Sequence, residues 1–161
     1  MKNLEFKIWF SKLEISNKNK LKLLNDFENI ENIWNIDEKE LRFCGYDNNV
    51  IIKLKESLYR EQLEKEANIL EKDDVKVLSI IEDEYPNRLR KIDNAPVQIY
   101  AKGNLKKLYE DNVAIIGSRN ASEYGKNISR QIANDLSSDG INVVSGLAVG
   151  IDKFAHIRCF R

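Results

Sequence analysis

The stretch Val113-Ala114-Ile115-Ile116-Gly117-Ser118-Arg119-Asn120-Ala121-Ser122-Glu123-Tyr124-Gly125 decides the fold. Four apolar residues closed by a glycine read as a short apolar strand, Val113 to Ile116, running into a glycine loop. Ile128, Ile132 and Leu136 then mark one face of a helix, and Gly140 stops it. Ile141 to Val144 is a second apolar strand. It runs into Ser145-Gly146-Leu147-Ala148-Val149-Gly150-Ile151-Asp152, and a helix is expected to start near Gly150. Strand, glycine loop, helix, strand, glycine loop, helix is the βαβ pattern of a parallel sheet.

Upstream of this stretch, Val75 to Ile81 reads as a strand, Tyr85-Pro86 as a turn, and Val97 to Ala101 as a strand closed by Gly103-Asn104. Before Val75 the pattern changes. Residues 1–72 carry one glycine, Gly45, and no proline, and their apolar residues fall at helical spacing. Leu4, Ile8 and Phe10 open a first helix. Asn17 is placed to cap a second, with Leu21, Leu24 and Phe27 on one face. Asp37 and Glu40 have capping-box spacing ahead of a short helix through Leu41, and Gly45 sits at its C-terminal end. A long helix from Asn49 to Leu70 aligns Ile51, Leu54, Leu58, Leu63, Ala67 and Leu70. The expectation is a bundle of about four helices over 1–72, then an α/β domain over 73–161.

Composition narrows the function. The 26 basic and 26 acidic residues balance, so no global field advertises a polyanion partner, and any nucleic-acid site must be local. One histidine and two distant cysteines, Cys44 and Cys159, make neither a zinc set nor a disulfide framework. The N-terminus lacks a secretory h-region and no stretch reaches about 18 apolar residues, so the expectation is a reduced, cytoplasmic protein without membrane contact. No nucleophile–base set can be assembled around His156. The expectation is therefore no enzyme, no catalytic residue, no cofactor and no metal.

The chemistry-bearing residues lie in the two glycine loops. Ligands of open α/β sheets bind beyond the carboxyl ends of strands. Glycines bring backbone N–H groups close to an anion, and a following helix adds its dipole. Ser118 and Ser145 offer hydroxyls, and Arg119 a planar fork suited to phosphate. The blander readings are a tight turn for each glycine, a surface ion pair for Arg119, and a helix cap for Asp152. Tyr85, Tyr100, Tyr109 and Tyr124 are expected to be mostly core, with Tyr124 the best base-stacking position. Neither loop is a GxGxxG or GxxxxGK[ST] fingerprint.

The runs VAIIGSRNASEYG and VVSGLAVGIDKFAH, in that order, together resemble the core of the DprA/Smf (DNA-processing protein A) family. YPNRLRKIDNAPVQIYAKGNL resembles that family's lead-in. The resemblance implies an α/β Rossmann-like parallel sheet, truncated, preceded by a small all-α SAM-like or helix-hairpin-helix-like domain. It implies single-stranded-DNA binding in natural transformation, protection of incoming DNA, loading of the RecA recombinase, and a homodimer of the full-length protein. Carried over by position, Gly117, Ser118, Arg119, Tyr124, Gly125, Ser145, Gly146, Gly150 and Asp152 would form the DNA site. Two departures stand out. The segment Leu13 to Lys18 has no hairpin glycine, which points the helical domain to a scaffold or protein-contact role. Ile157-Arg158-Cys159-Phe160-Arg161 replaces the small residues expected after Ala155-His156, and the family's sheet continues beyond this point. The competing reading is a nucleotide-binding or nucleotide-hydrolysing Rossmann domain like the lysine-decarboxylase-like (LOG) group, which would want a PGGxGT-like loop.

Overall fold

The computed structural model describes residues 3–56 and 60–157. The chain divides into two compact units, 1–105 and 106–161.

Among the described residues, the first unit opens with six helical segments: α1 (Asn3–Lys12), α2 (Asn17–Phe27), α3 (Ile30–Asn35), α4 (Glu38–Phe43), α5 (Asn48–Glu56) and α6 (Arg60–Lys72). Leu58 of the expected helical stripe lies outside the described residues; the rest of that stripe is divided between α5 and α6. Short polar caps break the pattern ahead of α2, α3 and α4. Ser16, not Asn17, caps α2: its side chain accepts from the Asn19 N–H, while Asn17 is already helical. Asn29 caps α3 in the same way. Asp37 caps α4 by accepting from the Glu40 N–H, as its spacing predicts. Gly45 ends α4 in a left-handed conformation at φ +76°, with Gly45 N–H bonded to Arg42 C=O and Tyr46 N–H to Leu41 C=O. Those two bonds make a Schellman motif, which answers the helix's last carbonyls.

The core of this unit is built on aromatics. Ile8, Trp9, Phe10, Leu23, Ile33 and Leu41 are fully enclosed, and Trp9 meets Trp34 edge to face with ring centres 4.9 Å apart. β1 (Val75–Ser79) and β2 (Gln98–Lys102) pair antiparallel, and Val77 and Val97 beside them join the helical core. Lys7 on α1 pins the junction: its ammonium donates to the Val77 carbonyl and pairs with Glu82. By sequence grammar the chain changes near residue 72. By packing, the β1–β2 pair stays with the helices, because its inward valines complete their core. Between the two strands, Tyr85 is the buried tyrosine expected of the core, its hydroxyl donating to the Pro96 carbonyl. Pro86 precedes the short helix α7 (Asn87–Arg90).

The second unit contains β3 (Asn112–Ala114), α8 (Glu123–Ser138), β4 (Asn142–Val144) and α9 (Ile151–His156). β3 and β4 pair in parallel, Val113 opposite Val143, and α8 is the crossover between them. This is the Rossmann-like βαβ unit that the apolar runs predicted. Ser122 caps α8 by accepting from the Gly125 N–H, and Gly140 ends the helix in a second Schellman motif, with Gly140 N–H to Ser137 C=O and Ile141 N–H to Leu136 C=O. The helix face differs from the expected one. Ser129 and Ala133 are buried, whereas Ile132 is 46% exposed. Small residues face inward because α9 packs closely there: the Ser129 hydroxyl donates to the Ile151 carbonyl. No helix among the described residues is long and apolar enough to cross a membrane.

Candidate nucleic-acid interface

The two glycine loops converge beyond the carboxyl ends of β3 and β4, where the fold class places its ligands. Ser145, just past β4, donates its hydroxyl to the Ile115 carbonyl at 2.7 Å and ties the two strand ends together. Gly150 has φ +96° and lies against the first loop. A Cβ on it would sit 2.2 Å from the Ser118 carbonyl oxygen and 2.6 Å from that of Arg119. The Ile151 N–H then donates to Ser118 C=O at 3.2 Å.

Ile151 is the residue that organises this corner, and the sequence reading missed it. A Cβ on Gly117 would come 2.7 Å from its side chain, and one on Gly125 would come 3.3 Å from it. Gly117 and Gly125 therefore make room for a side chain of α9. The available signal was the pair of glycines eight positions apart facing an apolar residue that follows a third glycine. Gly146 has a different neighbour: its Cβ would sit 2.9 Å from a carboxylate oxygen of Asp152. Asp152 is buried in the first turn of α9 and does not cap it; the N-cap position is Gly150, which has no side chain to offer. His156, one turn on, places Nε2 3.4 Å from the Ser145 carbonyl.

The polar groups left facing outward are few. Ser118 turns its hydroxyl back to accept from the Asn120 N–H, which shapes the first loop. Arg119 is exposed, and no ion pair joins its guanidinium to another of the described residues. Tyr124 is 76% exposed on the first turn of α8. Tyr100 and Tyr109 are likewise about half exposed, so of the four tyrosines only Tyr85 is core. Beside Tyr124, Lys126 pairs with Glu123 and holds that carboxyl below its usual range, first through the hydrogen bond and then through charge. Phe154 of α9 lies beneath the Arg130 guanidinium, 4.8 Å from ring centre to Cζ. Leu147, between Gly146 and Gly150, has φ +55° and is 69% exposed, an uncommon posture for a leucine. Among the described residues no cluster of three metal-ligating side chains occurs.

A helical region ahead of a parallel βαβ unit with paired glycine loops, and without a nucleotide fingerprint, defines the class. The chain belongs to the DNA recombination-mediator protein A family, whose model matches residues 76–161. It is 29% identical to the Smf protein of Borreliella burgdorferi over 147 residues, which cover 89% of this chain and 45% of that protein. It is 42% identical to the DNA processing protein DprA of Streptococcus pneumoniae over 79 residues, 49% of this chain and 28% of that one. The crystal structure of the Streptococcus pneumoniae protein superposes with a TM-score of 0.70 at 30% identity, over 98% of this chain and 54% of its own. The chain thus spans about half, or less, of the length of these relatives. The helical region and the α/β unit are both within the matched fold, and the Streptococcus pneumoniae relative is a DNA processing protein.

Proposed function

We propose that this chain carries a single-stranded-DNA backbone site at its two glycine loops. Arg119 is the phosphate cation. The exposed backbone of Gly117, Ser118 and Gly146 lines the path, and Tyr124 is a stacking surface for a base. Ser145, Gly125, Gly150 and Asp152 act one step back, by fixing the loops against each other. The observation that carries this reading is the convergence itself. Gly150 is pressed on the Ser118–Arg119 backbone, which sets the exposed Arg119 beside the glycine-rich turns at the strand ends. Single-strand binders combine such an electrostatic track with aromatic faces.

The role is binding without turnover. Within the complete protein it serves natural transformation: protecting incoming single strands, loading the RecA recombinase, and acting as a homodimer. The support for these wider roles is the family membership and the DNA-processing relatives. Segment 102–161 holds nine basic and six acidic residues, so affinity from this unit alone is weak, because non-specific binding sums many phosphate contacts.

The test is fluorescence anisotropy with labelled oligo-dT at low ionic strength, where phosphate contacts count most. Arg119→Ala is expected to lose about 1–3 kcal/mol, the order of a charge-assisted contact. The loss should be similar for other sequences, and the salt slope should fall by roughly one unit or less. Unchanged binding removes Arg119 from the site.

A further inference from the structure

Among the described residues of the first unit, three side-chain atoms are buried with no hydrogen-bond partner: Ser79 Oγ and both amide atoms of Gln98, Oε1 and Nε2. They belong to residues directly opposite each other in the β1–β2 pair. The next rung, Ile80 N–H to Val97 C=O at 2.8 Å, is a bonded one. Ser79 and Gln98 therefore form a non-bonded rung, in which facing side chains lie closest. The backbone of Ser79 is accordingly used elsewhere: its N–H donates to a Glu82 carboxylate oxygen at 2.9 Å, and its carbonyl accepts from the Glu82 N–H.

The face they share is the one turned to the helices. Val77 and Tyr100 occupy the neighbouring rung on the same side. Val77 is in the helical core, and the Tyr100 hydroxyl is 2.7 Å from Ser11 Oγ of α1. Along this seam the other polar groups are satisfied. Lys7 reaches the Val77 carbonyl, Lys20 reaches the Ser11 carbonyl, and Asn17 reaches Asn94. Among the described residues of this seam, the Ser79–Gln98 rung is left open. Leaving a buried hydroxyl and a buried amide unpaired is a cost that a folded protein rarely carries without a ligand.

We infer that Ser79 and Gln98 together hold a buried water that joins the β1–β2 pair to the helical region. The three atoms offer both donors and acceptors, and a water, which takes two to four partners and both donates and accepts, fits them in number and kind. A charged ligand has no opposing charge at the rung, since Lys7 and Glu82 already neutralise each other beside it. A hydrated rung of this kind fastens the hairpin by directional bonds where Val77 and Val97 fasten it by apolar contact.

Two measurements on the whole chain test this. In a crystal structure that resolves ordered solvent, a peak is expected within about 2.7–3.2 Å of Ser79 Oγ and of one Gln98 amide atom. A direct Ser79–Gln98 hydrogen bond with no such peak overturns the inference. In solution, the Gln98 side-chain amide protons should give cross-peaks to a water that stays longer than molecular tumbling. Absence of these cross-peaks from the unsubstituted chain overturns the inference.

Discussion

Gly150 and Ser118 touch through their backbones: a methyl group on Gly150 would lie 2.2 Å from the Ser118 carbonyl oxygen. Neither a rotamer change nor a flexible side chain can relieve that approach, and φ +96° is itself a conformation L-residues avoid. Gly150→Ala is therefore expected to cost about 2 kcal/mol or more of the second unit's stability. It should also speed hydrogen exchange at the Ile151 amide, which bonds to Ser118 C=O. Gly140 supplies the control. It also has a positive φ, +78°, but a Cβ there meets nothing. Gly140→Ala should cost only about 1–2 kcal/mol, the strain of the left-handed region. Equal losses at the two positions would mean that the loop contact adds nothing.

The compact unit 1–105 predicts how the helical region behaves when cut. Removing everything after residue 72 takes away Val77 and Val97 from the core and Glu82 from Lys7. A fragment ending at Lys72 should melt below one ending at Leu105, and the longer fragment should unfold in a single transition. Trp9→Ala in the longer fragment should cost about 3–5 kcal/mol, as for other buried tryptophans. If the two fragments melt alike, the hairpin is a passenger.

Much of this was legible in the sequence, and the misses share a cause. The strands at 113–116 and 141–144, the cap at Asp37, and the helix stops at Gly45 and Gly140 follow from local rules, and each formed close to its expected place. What local rules do not carry is which face meets which partner. Ile132 continues an apolar spacing yet is exposed, because α9 approaches α8 along Ser129 and Ala133. Gly117 and Gly125 read as anion-loop glycines, but the third dimension adds Ile151 between them. The sequence changes grammar near residue 72, and the family match begins at Lys76. Packing then carries the first two strands across it. Four tyrosines of similar sequence context divide into one buried and three exposed, which only tertiary contacts decide.

Tyr46 and Asp26 give the first unit a pH signature. The Tyr46 hydroxyl donates to an Asp26 carboxylate oxygen at 2.7 Å, and Lys22 pairs with the same oxygen. The Tyr46 bond first, then Lys22, hold the Asp26 carboxyl below its usual range, while burial and then Asp26 push the phenol well above its own. A depressed carboxyl stabilises above its unfolded value near 3.9, and that contribution is lost as the pH falls through the lower folded value. A raised phenol stabilises below about pH 10 and loses its contribution as the pH rises beyond that. Tyr46→Phe should cost about 1 kcal/mol at neutral pH and flatten both limbs of a stability–pH profile. A profile unchanged in shape would contradict this pairing.

Binding without turnover predicts that the chain releases neither phosphate from ATP nor nucleoside monophosphate from single-stranded DNA above a buffer control. If release occurred and Asp152→Asn abolished it, the nucleotide-hydrolase reading would replace the present one.

Tyr124 is 76% exposed, so Tyr124→Ala should leave the melting temperature nearly unchanged. It should still weaken oligo-dT binding, by about 1–3 kcal/mol if a base stacks on the ring. Loss of stability without loss of binding would assign the ring to packing instead.

DNA is expected to meet this chain at the two converged loops. Titrating the 15N-labelled chain with oligo-dT at low salt reads even weak binding residue by residue. Amide shifts should be confined to the loops at 117–125 and 145–152, and should be lost in Arg119→Ala with the rest of the spectrum unchanged. Shifts concentrated on the helical region, or loop shifts that survive Arg119→Ala, would contradict it.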